Sequence, residues 1–172
     1  VQTLPRELGK MLWKSADALE ERTEEFARVE TADNGKPIFE SKYVDVPAAI
    51  DALRYFAGWA DKLHGDTFAV QGPFSMAYTL REPMGVVAAI TPWNFPIIQA
   101  MWKIAPALAC GNAVVLKPAS NTPLTALKFA ELATEVGLPA GALNVVPGSG
   151  SEVGRRLVEH PEVAKISFTG ST

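Results

Sequence analysis

Residues 85–120 read GVVAAITPWNFPIIQAMWKIAPALACGNAVVLKPAS, and this stretch decides the fold class. It holds two short apolar runs, at residues 86–91 and 113–117, on either side of a helical stretch at about residues 97–109. Continuous apolar strands that are joined by a helix are typical of parallel sheets covered on both faces. The stretch therefore predicts a β-α-β unit, in which the helix crosses over between two neighbouring parallel strands.

The same alternation continues to the end of the chain. Further strands are predicted at residues 143–146 and 165–168, with helices at residues 122–136 and 151–159. Each helix is long enough for a right-handed crossover. We therefore predict an α/β fold, with a parallel Rossmann-like sheet and crossover helices.

Two helices and a strand are predicted before this sheet. Residues 8–29 carry apolar side chains at helical spacing, with charged residues between them. A second helix has an apolar stripe from Tyr43 to Leu63, and Pro47 either kinks it or lies in its first turn. Residues 74–80 alternate between apolar and polar side chains, which predicts a strand open on one face. We expect this strand to need a partner strand that the chain does not contain.

The composition fits a folded protein and excludes several classes. Of the 172 residues, 48% are hydrophobic and 20% are charged, which excludes disorder as the main state. The net charge of −3 offers no basic field for nucleic acid. No apolar run approaches the roughly 20 residues that span a membrane, and a single cysteine suits a reducing compartment, so we expect a cytoplasmic protein without a membrane partner. Because the chain starts at Val1 without Met and stops after a turn-like tripeptide, both ends are expected to be cut.

Ligands of open α/β sheets bind beyond the carboxyl ends of the strands, so the residues that follow each strand are the candidates. The four segments are residues 91–96 (TPWNFP), 117–120 (KPAS), 147–154 (PGSGSEVG) and 169–171 (TGS). The glycine spacing of the third segment departs from the common dinucleotide fingerprint, and it is weak evidence by itself.

The order of these segments is more specific than any one of them. The succession TPWNFP, LKPAS and FTGST closely resembles the aldehyde dehydrogenase superfamily, and the resemblance extends back through ETADNGKP at residues 30–37 and REPMGV at residues 81–86. It implies that residues 1–82 form N-terminal helices and a bridging or oligomerisation strand. Residues 83–172 then form the first part of a domain that binds a nicotinamide dinucleotide. Family members are much longer, and they carry the catalytic cysteine and the general-base glutamate beyond the point where this chain stops.

The implied activity is oxidation of an aldehyde to a carboxylic acid with reduction of NAD or NADP, through a thiohemiacetal and a thioester on that cysteine. The resemblance matches Asn94 to the side-chain amide that stabilises the oxyanion. From the residues alone, Asn94 could instead cap the helix that begins near Phe95, and the two roles are compatible. Trp93 matches a residue beside the cofactor phosphates, with a core aromatic as the alternative.

Two residues at the end of the second strand bear on the cofactor, one as its last residue and one just beyond it. Lys117 matches the ribose-binding lysine of the family, whereas the alternative is a solvated lysine at a strand end. Ser120 stands where many members have a glutamate, whose carboxylate would repel a 2′-phosphate. Serine does not repel it, so we expect NADP to be accepted as well as NAD. The alternative is that Ser120 is a plain turn residue.

Glycines complete the expected site. Gly148, Gly150 and Gly154 would let the backbone approach a cofactor closely, while Ser171 and the amides around Gly170 suit a pyrophosphate. A tight strand-to-helix turn is the alternative for Gly148 and Gly154. The full set of expected cofactor contacts is Ile90, Thr91, Pro92, Trp93, Asn94, Lys117, Ala119, Ser120, Gly150, Gly154, Phe168, Thr169, Gly170 and Ser171.

Cys110, the only thiol, is expected at the end of a crossover helix, at the wrong edge of the sheet for chemistry, as a small buried hydrophobe. His64 and His160 are assigned structural or solvated roles, and no metal site is expected.

We therefore expect this chain to be inactive alone, and the complete protein to act on a small-molecule aldehyde as a homodimer or homotetramer. Two other classes stay open: a nucleotide-binding module or inactive relative, and a structural protein that uses the fold alone.

Overall fold

The computed structural model describes residues 3–72 and 74–170. The helices are α1 (Pro5–Glu21), α2 (Thr23–Asn34), α3 (Ile38–Glu40), α4 (Val46–Ala57), α5 (Pro96–Ala109), α6 (Leu124–Glu135) and α7 (Arg155–Glu159). The strands are β1 (Thr67–Phe68), β2 (Ala77–Tyr78), β3 (Val86–Ile90), β4 (Ala113–Lys117), β5 (Leu143–Val145) and β6 (Val163–Phe168). Two π-helical turns, Ser41–Asp45 and Gly150–Gly154, directly precede α4 and α7.

Strands β3 to β6 form one parallel sheet in the order β5-β4-β3-β6. Helix α5 crosses from β3 to β4, α6 crosses from β4 to β5, and the second π turn with α7 leads to β6. The predicted Rossmann-like α/β fold is thus confirmed. The bounds of the four strands and of their crossover helices differ from the predicted ones by two residues at most, except that the last helix begins as a π turn.

The hydrophobic core runs through both halves of the chain. Helix α1 packs against α4, and α4 packs in turn against α5, whose apolar side chains point both to the sheet and to the N-terminal helices. Fully buried members of this core include Leu12, Phe26, Leu53, Met101 and Phe129. The division into residues 1–82 and 83–172 therefore stays a prediction.

The N-terminal helices are divided differently from the sequence-based expectation. Residues 8–29 do not form one helix, because the backbone leaves helical geometry at Arg22 (φ −104°, ψ 20°). The Thr23 hydroxyl donates to the Glu20 carbonyl at 2.8 Å, which satisfies an acceptor at this break. Pro47 lies in the first turn of α4, one of its two expected positions. The predicted stripe is wrong at its ends, since Tyr43 and Leu63 are both exposed.

The expectation of an absent partner strand is wrong. Within residues 74–80, only β2 is a strand, and it pairs antiparallel with β1 of the same chain. Two further bonds extend this pairing: the Thr79 amide donates to the Asp66 carbonyl, and the Thr79 hydroxyl accepts from the Asp66 amide. Strand β1 has two residues, too few to produce a periodic pattern in the sequence. Within the described residues, no helix has the length and apolar character needed to cross a membrane.

Candidate functional site

The candidate site lies where the sheet connections change direction. From β3 the chain moves to β4 and β5 on one side, and it then returns to place β6 on the other side of β3. Ligands of open α/β sheets bind at such a switch point, beyond the carboxyl ends of the strands. A cleft of about 570 Å³ opens here. Its lining residues are Ile90, Thr91, Pro92, Trp93, Asn94, Ala119, Phe168, Thr169 and Gly170.

All residues of that cleft belong to the expected set of cofactor contacts, and the sheet explains why they meet. The Thr91 amide donates to the Lys117 carbonyl at 3.1 Å, and the Thr169 amide donates to the Ile90 carbonyl at 3.0 Å. These bonds continue the sheet pairing one residue beyond β3 and β6. The structure thereby joins the ends of three strands at one edge, while cofactor contact by these residues stays a prediction.

Asn94 lies exposed in the turn between β3 and α5, and its side chain has no hydrogen-bond partner in the described part of the chain. The helix-cap alternative is wrong, because α5 has Phe95 at its N-cap and receives no side-chain cap from there. The Ile97 amide instead donates to the buried carboxylate of Glu30, at 3.3 Å. The Asn94 amide is therefore available to a ligand. Its neighbour Trp93 is exposed as well, so the core-aromatic alternative is also wrong.

Lys117 is buried, with 5% of its surface exposed, rather than solvated at the strand end. Its ammonium donates to the Pro118 carbonyl at 2.9 Å, and burial lowers its pKa from the ordinary lysine value. An ammonium group has three hydrogens, so two remain for other acceptors. Gly154 packs beside this side chain, where an added Cβ would lie 3.7 Å from Lys117 Cδ.

Ser120 and the glycine loop are in direct contact. The Ser120 hydroxyl donates to the Gly148 carbonyl at 2.8 Å, which joins the segment after β4 to the segment after β5. At Gly148, a Cβ would meet Val153 Cγ2 at 2.5 Å, so the tight-turn alternative holds for this glycine. Gly150 is exposed and has open space around it.

The segment after β6 is only partly described. Gly170 is exposed, and an added Cβ would meet the Phe168 ring at 2.6 Å, so the ring would have to shift to admit a side chain there. Phe168 itself exposes its ring at the cleft. Ser171 lies outside the described residues.

Sequence reasoning missed Lys103, which the structure brings to the same edge. This lysine lies in the apolar helix α5, is 9% exposed, and donates from Nζ to the Thr169 hydroxyl at 2.6 Å. Burial lowers its pKa from the ordinary value. A lysine between Trp102 and Ile104 in the most apolar helix was the signal that could have identified it, since such a residue is rarely buried without a partner.

Cys110 lies at the C-terminal end of α5, three residues before β4 begins, and thus at the amino edge of the sheet, as expected. It is exposed, which corrects the expectation of a buried residue. The surroundings raise the pKa of its thiol by desolvation.

His64 is exposed, and His160 Nδ1 accepts a hydrogen bond from the Glu162 amide in a turn. Among the described residues there is no cluster of His, Cys, Asp and Glu able to hold a metal ion.

These observations define a class of protein: an α/β protein with a Rossmann-like sheet and an open site at its switch point. Comparison with known proteins makes the class more specific. The family model described as "Aldehyde dehydrogenase family" matches residues 2–172. This chain belongs to the aldehyde dehydrogenase family.

Individual relatives agree. The chain is 58% identical to phenylacetaldehyde dehydrogenase of Pseudomonas fluorescens, over 98% of this chain and 34% of the relative. It is 51% identical to retinaldehyde dehydrogenase 3 of Rattus norvegicus, over 95% and 32%. Among solved structures, PnpE in complex with nicotinamide adenine dinucleotide superposes with a TM-score of 0.95 at 49% identity, over 98% of this chain and 34% of that chain. The chain thus spans about a third of the length of these relatives.

Proposed function

We propose that the complete protein that contains this chain oxidises an aldehyde to the carboxylic acid, with NAD or NADP as the acceptor of the hydride. The observation that carries the proposal is the exposed Asn94 amide at the switch point. The nucleophilic cysteine and the general base lie in sequence outside this chain. Membership of the family and the name of the NAD-bound relative support the cofactor.

The residues at the switch point fit a nicotinamide dinucleotide. The buried Lys117 keeps two ammonium hydrogens for ribose hydroxyls, and the exposed rings of Trp93 and Phe168 offer apolar surface along the cleft. The main-chain amides beside Gly150 and Gly170 are candidates for the pyrophosphate. When bound, the cofactor accepts the hydride of the aldehyde.

The role of Asn94 follows from charge. When a thiolate attacks an aldehyde, the carbonyl oxygen becomes negatively charged. An amide N–H fixed near that oxygen stabilises the charge, and such a donor contributes about 3–4 kcal/mol to lowering the barrier. Because the Asn94 side chain makes no hydrogen bond to the described residues, its amide can donate to this oxygen.

The test is the Asn94→Ala variant of the complete protein. We expect kcat to fall by about 10²–10³, with little change in cofactor affinity, since the lost bond acts mainly on the developing oxyanion. Steady-state reduction of the nicotinamide with a panel of aldehydes measures kcat, and fluorescence titration measures the cofactor Kd. A kcat within a few-fold of the wild type would contradict the proposal.

We also propose that the complete protein is a homodimer or homotetramer in the cytoplasm. The hairpin β1–β2 and its flanks support this association, because Phe74, Met76, Tyr78 and Leu80 expose apolar side chains there. Sedimentation equilibrium tests it, and a monomer at micromolar concentration would contradict it.

A second candidate applies to the 172-residue chain by itself. Its only cysteine lies at the edge of the sheet opposite the cleft, so the chain alone is expected to bind the nucleotide without turnover. An increase in Tm with NAD or NADP would support this, whereas an unchanged Tm would favour a structural role.

A further inference from the structure

The turn that carries Asn94 is bound by the last residue of α2 and by the loop that follows it. Asn34 donates from Nδ2 to the Trp93 carbonyl, and Lys36 donates from Nζ to the Asn94 carbonyl at 3.0 Å. The Lys36 ammonium also lies 4.5 Å from the centroid of the Phe95 ring. Asn34, the last residue of α2, and Lys36, in the loop after it, therefore contact three consecutive residues of the turn.

Lys36 is itself fixed by a buried ion pair. It donates to the Asp45 carboxylate, and the two side chains are 7% and 0% exposed. Oδ1 of Asp45 has no hydrogen-bond partner within the described ranges, so Lys36 is the main compensation for this buried charge. Movement of Lys36 away from the pair would leave a carboxylate buried without a counter-charge, which is strongly unfavourable. The ammonium is therefore held at one point beneath the turn.

The far side of the turn is held as well. Glu30 accepts the Ile97 amide through Oε1 at 3.3 Å and the Thr125 hydroxyl through Oε2 at 2.6 Å. This carboxylate holds Ile97, in the first turn of α5. Ile97 lies two residues after Phe95, whose ring the Lys36 ammonium contacts. The backbone of residues 93–97 thus has side-chain partners at both ends, while the Asn94 side chain has none of its own among the described residues.

We propose that Lys36, anchored by Asp45, is a positioning residue for Asn94. The Asn94 amide takes its direction from the backbone of its own residue, and Lys36 holds the carbonyl of that residue. This inference rests on the proposed function, in which Asn94 donates to the oxyanion. A shift of about 1 Å in a catalytic group costs on the order of 10² in rate, so a lysine that fixes this backbone has a measurable effect on kcat.

The test is a double-mutant cycle in the complete protein, with the variants Lys36→Met, Asn94→Ala and their combination. We expect Lys36→Met to lower kcat about 10- to 100-fold, with the cofactor KM within about twofold of the wild type. In the Asn94→Ala background, the same Lys36→Met change should lower kcat by less than about threefold, because the amide that it positions is already absent. Fully multiplicative losses would overturn the proposal, since a general structural defect does not depend on Asn94.

Lys128→Met is the matched control. Its ammonium pairs with the Glu25 carboxylate and lies 5.7 Å from the centroid of the Phe26 ring, and among the described residues it makes no hydrogen bond or ion pair with residues 93–97. We expect its kcat to equal that of the wild type. A loss equal to that of Lys36→Met would overturn the proposal, because the effect would then follow the removal of any paired lysine.

Lys36→Met leaves the Asp45 charge buried and can prevent folding. The double variant Lys36→Met/Asp45→Asn removes both charges, and Asn34→Ala removes only the neutral bond to the Trp93 carbonyl. Both are expected to lower kcat, with a smaller loss for Asn34→Ala, and both losses should shrink in the Asn94→Ala background. If Asn94→Ala lowers kcat while these variants retain it, positioning by the loop is wrong and the proposed function stands. If Asn94→Ala itself retains kcat, the proposed function fails, and the positioning role fails with it.

Discussion

Ser120 offers a nucleotide a neutral hydroxyl that is already bonded to the Gly148 carbonyl at 2.8 Å. It lies three residues after Lys117, at the same strand end, and it is exposed. No negative charge at this position opposes a 2′-phosphate, and an ammonium group nearby favours one. We therefore predict that the complete protein uses NADP as well as NAD, and that Ser120→Glu lowers the NADP-to-NAD ratio of kcat/KM at least about tenfold, or about 1.4 kcal/mol.

Asn121→Glu is the control for that measurement, since it adds the same charge one residue further along an exposed turn. Its NADP-to-NAD ratio should change much less than that of Ser120→Glu. An unchanged ratio in Ser120→Glu would mean that residue 120 does not face the adenosine ribose. A wild-type protein that rejects NADP would mean that another residue closes the site.

At the scale of the element, the start of α5 depends on a carboxylate from α2. The two bonds of Glu30, to the Ile97 amide and the Thr125 hydroxyl, are both buried. Glu30→Ala would leave these two donors without acceptors, and each unsatisfied buried group costs about 1–3 kcal/mol. We predict that the free energy of unfolding falls by at least about 2 kcal/mol, as measured by urea denaturation. Glu24→Ala, on the exposed face of α2, is the control and should change it little.

The same residue makes the stability of this region depend on pH. Burial raises the pKa of Glu30 above its ordinary value of 4.5, and the charge of Asp45 raises it further. The hydrogen bonds from Thr125 and Ile97 and the nearby charge of Lys36 lower it, but burial is the largest effect. The folded protein therefore keeps this proton to higher pH than the unfolded chain does. Its contribution to stability is present at low pH and is lost as pH rises from about 4.5 through the pKa of the folded state. Glu30→Gln should flatten that decrease, and parallel profiles for variant and wild type would contradict the assignment.

At the scale of the whole molecule, the sheet was predictable because its signals are local. The apolar runs of β3 and β4 and the helix between them are each visible within a few residues, and the structure confirms them. The break at Arg22, the π turn Ser41–Asp45 and the two-residue strand β1 were not predicted. Strand β1 depends on pairing with β2, and Ser41 and Asp45 of the π turn bond to Thr31 and Lys36; the periodicity of a segment reports neither kind of contact.

The residues of the candidate site likewise fall into those that the sequence predicted and those that it did not. The segments after β3, β4 and β6 converge because parallel strands bring their carboxyl ends to one edge, so their meeting follows from the predicted topology. Lys103 and Glu30 were missed, since their importance comes from burial and from partners 66 and 67 residues away. The helix-cap hypothesis for Asn94 failed for this reason: the cap comes from α2, not from the adjoining residue.

As a separate molecule, the purified 172-residue polypeptide should reduce neither NAD nor NADP in the presence of aldehydes. Acyl transfer needs a thiolate beside the oxyanion donor. Cys110 lies at the amino edge of the sheet, whereas the Asn94 turn follows the carboxyl edge, and desolvation raises the pKa of its thiol and so disfavours the thiolate. Absorbance of the reduced nicotinamide, recorded with a panel of aldehydes, measures the activity. Cys110→Ser should be indistinguishable from the unmodified chain, while steady turnover that disappears in Cys110→Ser would identify Cys110 as a nucleophile and contradict the argument from its position.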